Sequence, residues 1–359
     1  MSSNFKSVSG SQSEALRDTN LYRVVIVGAG SLKGKETAEV LGERNFPSLD
    51  IKLLDDDESL GQLETIGEEI TFIQNVRAEQ FDKIDFTFFA SDADCTRKNW
   101  NTARHAGSAI VDLSYALEDE SQAKLRSPWI ERESGTVQTP ELQPGPSVVA
   151  HPVSVILALL VLRIQKTVSL DSVIATVFEP ASEHGQKGID ELHEQTVNLL
   201  SFQQLPKVVF DAQVAFNMLA RYGRQSTPSL DTIEARILKH YRKITPSGTI
   251  VPSLLLLQAP VFHGYALAIH VQGDKPADLD AVSAALAGDH VSVTPAGEEA
   301  PSSVGAAGQS GIMVSVVADT SDANAFWIWA TADNLRIAAA TAVECAESMS
   351  ASRPRGKIQ

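Results

Sequence analysis

A chain of 359 residues with 43% hydrophobic and 21% charged residues is long enough for two cores and is neither fibrous nor disordered in composition. Its formal net charge of -15 and pI of about 5.0 argue against nucleic acid or an anionic membrane as a partner. The only cysteines, Cys95 and Cys345, lie far apart without metal or disulfide spacing, which suits a reducing cytoplasm.

Residues 1–20 are polar and serine-rich and read as a mobile tail, neither signal peptide nor anchor. Tyr22 to Val27 is a β-branched run closed by Gly28, the pattern of a strand buried in a parallel sheet. A helix is predicted from about Gly34 to Arg44, with Ala38, Val40 and Leu41 as its apolar face. Ile51 to Leu54 reads as a second strand, ending in Asp55, Asp56, Asp57 and Glu58. Phe86 to Ala90 and Ala109 to Asp112 are two more, with a helix around 96–106 between them. Strand and helix alternate, so residues 21–150 are predicted to form a doubly wound α/β sheet.

A turn-rich connector, Thr139 to Pro146, ends the alternation. The apolar stretch from Val153 to Ile164 is too short to span a bilayer and reads as a buried helix. After it come a strand at Val173 to Phe178, an amphipathic helix near Ile189 to Leu200, and alternating segments at Leu254 to Gln258 and Tyr265 to Val271. Strands that return without crossover helices predict a mixed or antiparallel sheet with helices on one face, across residues 151–330. Gly297 to Gly311 reads as a loop, and Ile312 to Val317 and Ala325 to Ala330 as strands. Trp327 and Trp329 alternate onto one face of the last strand, a candidate subunit interface. Asp333 to Met349 is a closing helix with Cys345 in its core.

Gly28-Ala-Gly30-Ser31-Leu32-Lys-Gly34 joins the first strand to the first helix. Glycines let a backbone approach a pyrophosphate, and free N–H groups at a helix start stabilise its charge. The GxGxxxG spacing is one residue longer than the usual fingerprint, so two readings stand: a dinucleotide site, or a tight turn that binds nothing. Asp55 can accept a ribose 2′-hydroxyl and would repel a 2′-phosphate, which favours NAD over NADP. The other reading is a solvated acidic loop.

From about residue 22 to 350, segments of this chain follow in order those of the aspartate-semialdehyde dehydrogenases, a family it resembles. Gly28 to Gly34 approximates the family's glycine-rich turn, with Ser31 for the second glycine. Val111-Asp-Leu-Ser-Tyr-Ala-Leu117, Thr139-Pro-Glu141, Gly185 to Thr196, Ala215-Phe-Asn217, Pro260 to Gly264 and Ala332 to Arg336 match further elements. The resemblance implies a Rossmann-type domain over 21–150, completed by a C-terminal helix in 331–359, and an α+β domain over 151–330 that dimerises. It also implies Gly28, Gly30, Ser31, Leu32, Gly34, Asp55 and Ser91 as cofactor contacts. The family reaction is reductive dephosphorylation of aspartyl phosphate by NADPH through a cysteine thioacyl enzyme.

At the family's cysteine position stands Ser154, and at its acid/base histidine Tyr265. A hydroxyl, unlike a thiol, needs a general base to attack, and a phenol is poorly matched to take a proton near neutrality. Gln258 and Glu118 replace two arginines of the substrate clamp, Glu179 replaces a glutamine, and Glu183 a glycine. Glu234 is retained, with Arg236 in a lysine position. The leading expectation is a homodimer incompetent in the family reaction, with an NAD-binding scaffold or regulatory role and possible association with an active relative. Two alternatives stand: an active NAD(P)-dependent oxidoreductase on another aldehyde or acyl substrate, and a hydrolase built on Ser154 with His151 as base. A metal site from His151, His184, His263 and Glu179 is disfavoured by their spacing, so none is expected. Cys95 reads either as a thiol near a nicotinamide or as a packed one.

Overall fold

The computed structural model describes residues 21–55, 61, 63–66, 69–136 and 144–352. The predicted tail, the acidic residues 56–58 and the connector residues 139–143 lie outside them.

The first part runs β1 (Tyr22–Val27), α1 (Leu32–Glu43), β2 (Ser48–Asp55), the hairpin β3 (Leu63–Ile66) and β4 (Glu69–Phe72), and β5 (Gln74–Asn75). It continues through β6 (Phe86–Phe89), α2 (Ala93–His105), β7 (Ala109–Asp112), β8 (Lys124–Arg126), α3 (Pro128–Glu133) and β9 (Ser147–Val149). Seven of these strands form one sheet in the order β5-β2-β1-β6-β7-β9-β8, paired in parallel. With helices on both faces, the central strands lose all contact with water: Val24 to Val27, and Phe86, Phe88 and Phe89, are fully buried. From β1 the chain moves first to β2 on one side and later to β6 on the other. That switch point opens a crevice at the carboxyl ends of the strands.

The second part comprises α4 (Pro152–Ile164), β10 (Leu170–Glu179), α5 (Gly185–Leu200), α6 (Leu230–Ile244), β11 (Ser253–Gln258), β12 (Tyr265–Gly273) and α7 (Leu279–Leu286). Then follow β13 (Val291–Val293), α8 (Ser303–Ala306), β14 (Ile312–Ala318), β15 (Ala325–Ala332) and α9 (Asn334–Ser352). Its six-stranded sheet is mixed, in the order β11-β10-β12-β15-β14-β13, with β10/β11 and β13/β14 parallel. The segment read as a loop over 297–311 thus holds one short helix, α8.

Helix α4 is apolar all round because it is buried all round. Its side chains join those of both sheets in one continuous core. On the other face of the second sheet, Ile174, His270, Trp327 and Val317 stand in register across four strands. Ile174, Val317 and Trp327 of this row are exposed. Trp329, on the same face, is half-buried against Phe178 and donates Nε1–H to the Pro301 carbonyl at 2.7 Å.

Helix α9 returns to the first sheet and packs on α1, β7 and β9. Arg336, nearly buried, binds Glu36 at 2.7 Å and also pairs with Glu43, tying α9 to α1. Cys345 lies fully buried on α9, where desolvation pushes its thiol up to about 12.

Candidate active-site cleft

The glycine-rich turn is built by its own close contacts. Gly28 has φ +82°, and a Cβ there would lie 2.4 Å from the Ser91 amide nitrogen. A Cβ on Gly34 would lie 2.1 Å from the Gly28 carbonyl oxygen. Both glycines are therefore required by the packing of turn, helix and strand, whether or not a ligand binds. The Gly30 amide donates to Asp55 Oδ2 at 2.7 Å. Ser31 caps α1 by accepting from the Gly34 amide, and its hydroxyl donates to the Ala90 carbonyl. The Leu32 and Lys33 amides make no hydrogen bond among the described residues. Two free donors at a helix start, with a carboxylate beyond them, fit a pyrophosphate and its ribose.

Those amides belong to residues lining a cavity of about 680 Å³. Ser31, Ser91 and Tyr115 come to it from the first sheet's loops, Leu32 and Lys33 from the start of α1, and Glu179, Glu183 and His184 from the end of β10 and the turn after it. Tyr115 is held at φ +63°, a left-handed conformation costly for a side chain this large. Asp112 fixes the turn by accepting from the Ser114 amide, the Ser114 hydroxyl and the Leu117 amide at 2.6–2.9 Å. The Tyr115 ring stacks on His151 at 5.7 Å, with Lys33 Nζ 4.9 Å and the Arg236 guanidinium 5.2 Å from its centroid. Burial pushes the Tyr115 phenol up to about 12 against the pull of those cations. Lys33 Nζ also lies 4.0 Å from Glu183 Oε2.

Ser154 is the third residue of α4, fully buried and absent from the cavity lining. Its hydroxyl donates to the Ile237 carbonyl of α6 at 2.8 Å, so its proton is not offered to His151. His151 does line the cavity. Its Nδ1 accepts from the Val153 amide at 3.3 Å, and burial holds its pKa well below the ordinary value. Its own amide donates to His240 Nδ1 at 3.0 Å, which fixes the hydrogen of His240 on Nε2, facing Glu118 at 2.8 Å.

Tyr265 is fully buried at the start of β12, its ring 6.2 Å from that of His151. Burial and the nearby Glu183 and Glu179 hold its phenol well above the usual range. Glu118 binds His240, Arg236 at 3.2 Å and Lys239 at 3.6 Å. Burial opposes its ionisation, but those three partners prevail and hold it at about 2.

The expectation that Glu234 faces the cleft needs correction. Its carboxylate accepts from the Leu256 amide at 3.0 Å on the edge strand β11, and Glu234 is not in the lining. Gln258 is likewise outside the lining but one residue removed: its Nε2 donates to the carbonyl of the lining residue Glu179 at 2.9 Å, and its Oε1 accepts from Tyr222 Oη at 2.7 Å. Tyr222 also lies 3.1 Å from Glu179 Oε1 and 2.7 Å from His184 Nε2. His263 lies off the cavity, and no three metal-ligating side chains converge among the described residues. Cys95 is partly exposed on α2 and packs with the second hydrophobic cluster of the first sheet.

Lys33, Tyr115, Tyr222 and His240 are site residues that sequence reasoning missed. Lys33 carried a visible signal, a cation inside the glycine-rich turn, and Tyr115 a weaker one as the bulky residue of the short loop after Asp112. Tyr222 and His240 carried none, because their partners are remote in the chain.

Residues 23–137 match the family model described as semialdehyde dehydrogenase, NAD binding domain, and residues 161–337 the one described as semialdehyde dehydrogenase, dimerisation domain. A USG-1 protein homolog from Azotobacter vinelandii is 31% identical over 331 residues, covering 90% of this chain and 96% of that protein. An aspartate-semialdehyde dehydrogenase from Rickettsia conorii is 26% identical over 337 residues, covering 92% and 98%. Among solved structures, a probable aspartate-semialdehyde dehydrogenase from Pseudomonas aeruginosa superposes with a TM-score of 0.81 at 31% identity, covering 91% of this chain and 98% of that one.

Proposed function

The chain belongs to the aspartate-semialdehyde dehydrogenase family, and from that membership we propose that it keeps the family's dinucleotide and dimer scaffold without its thiol chemistry. Ser154 carries this reading. The hydroxyl at the nucleophile position is buried in helix packing with its proton given to Ile237, and the neutral His151 at the helix start is turned to a backbone amide. Tyr265, at the base position, is a buried phenol that holds its proton at any physiological pH. Glu118 further neutralises Arg236 and Lys239, the cations that would otherwise hold a phosphate.

On this reading the scaffold binds a nicotinamide dinucleotide, NAD in preference to NADP, because Asp55 sits beside the turn as a carboxylate that repels a 2′-phosphate. Ser31, Leu32 and Lys33 would hold the pyrophosphate, and Ser91 would pack beside it; when bound, the group supplies hydride chemistry. The protein works as a homodimer in the cytoplasm, in a scaffolding or regulatory role that extends to association with an active relative. The functional division of the chain falls near residue 150.

An assay with aspartate semialdehyde, phosphate and either cofactor is expected to show no dehydrogenation. Turnover that disappears in Ser154→Ala would overturn the proposal. Calorimetry is expected to show tighter binding of NAD than of NADP, and the reverse order would refute the role given to Asp55. One observation favours a second reading, an oxidoreductase acting on a different aldehyde: a strained Tyr115 flanked by Lys33 and Arg236 over an open cavity. Turnover of an unphosphorylated aldehyde, lost in Tyr115→Phe, would establish it.

A further inference from the structure

A single hydroxyl sets the chemistry at the β10 end of the cavity. Tyr222 Oη lies 2.7 Å from Gln258 Oε1, 2.7 Å from His184 Nε2 and 3.1 Å from Glu179 Oε1. It has one proton for three neighbours. The Gln258 amide is pinned, because its Nε2 donates to the carbonyls of Glu179 and Ala259 at 2.9 Å each. A flip would set its oxygen against two others. Gln258 Oε1 is therefore an acceptor, and the Tyr222 proton goes to it. His184 Nε2 must then carry hydrogen and donate to Tyr222. Glu179 Oε1 is left within bonding distance of an oxygen whose proton lies elsewhere. As a carboxylate it would share only the bent His184 N–H, 3.4 Å away. As an acid it donates to Tyr222, and among the cluster's solvent-inaccessible side-chain atoms one alone is left without a partner.

That one atom is Glu179 Oε2, which has no hydrogen-bond partner among the described residues. Glu179 is fully buried and lines the cavity. We propose that Glu179 is held as a neutral carboxylic acid whose carbonyl oxygen Oε2 accepts a hydrogen bond from a ligand bearing a neutral donor, an amide N–H or a hydroxyl. A carboxylate is refused beside Glu179 Oε2, because the protons of His184, Tyr222 and Gln258 are already given to other acceptors and Glu183 adds a like charge. Burial pushes the Glu179 carboxyl up, and His184 only partly offsets it. The other titratable groups facing it act in the same or a neutral sense: Glu183 is a like charge, and Tyr222 and Tyr265 hold their protons. The inference is independent of whether the dinucleotide binds or the family reaction is lost.

Succinamide and succinate are matched probes, equal in length and differing in carboxamide against carboxylate. Measured by NMR titration at pH 7, succinamide is expected to bind at least tenfold tighter. Glu179→Gln, the isostere of the neutral acid, should keep that preference within about threefold, whereas Glu179→Leu should abolish it. Infrared difference spectra of the parent against Glu179→Gln should show a protonated-carboxyl band at pH 7, displaced in Tyr222→Phe. Equal or tighter binding of succinate overturns the proposal, as does binding of neither probe. Tighter binding of 1,4-diaminobutane, or absence of the protonated-carboxyl band, overturns it by showing an ionised Glu179.

Discussion

Glu118 shows how one residue can change the sign of a site. It stands where the family resemblance places an arginine, and it gathers Arg236, Lys239 and His240 around a carboxylate held at about 2, well below its ordinary 4.5. A carboxyl depressed by folding adds stability above its unfolded pKa and loses it as the pH falls through the folded one. Glu118→Gln is therefore expected to be less stable than the parent at pH 7. The gap should close between about 4.5 and about 2 in urea unfolding followed across pH. A gap that widens on acidification would show that Glu118 is strained rather than stabilised by its neighbours.

Among the elements, α9 has the clearest single attachment. Arg336, with a side chain 6% exposed, reaches Glu36 and Glu43 on α1. Arg336→Met is expected to cost on the order of 2 kcal/mol in chemical denaturation, less than a fully dry pair because Glu43 is half exposed. Elements with strong local patterns are legible in the sequence. The β-branched run at Tyr22–Val27, the all-round apolar α4 and the alternation of β12 each declare their burial. Strands β8, β9 and β13 have three residues each, too few to show a period, and α3 is only six residues long. The cavity is legible at Ser31, Ser91 and Glu179, which line it, whereas Ser154 and Tyr265, supplied by family segments, lie outside its lining. It is illegible where the chemistry comes from a distant partner: His240 meets Glu118 across 122 positions, and Glu234 turns to β11 rather than to the cleft.

Over the whole molecule, the row Ile174, His270, Trp327 and Val317, exposed at all but His270, makes the second sheet's outer face the apolar surface on which the proposed homodimer would close. Trp327→Glu is expected to shift the protein to monomer in sedimentation velocity while leaving its circular dichroism unchanged. A dimer that survives the substitution would move the interface elsewhere. The return of α9 has a further consequence for how such a chain comes into being. Tyr22 in β1 donates its hydroxyl toward the Ser350 carbonyl at 3.4 Å, so β1 is finished by a helix residue that follows it by 328 positions. On the ribosome, the nucleotide half must wait with its α9 groove open while the second sheet emerges. The half that begins first is completed last.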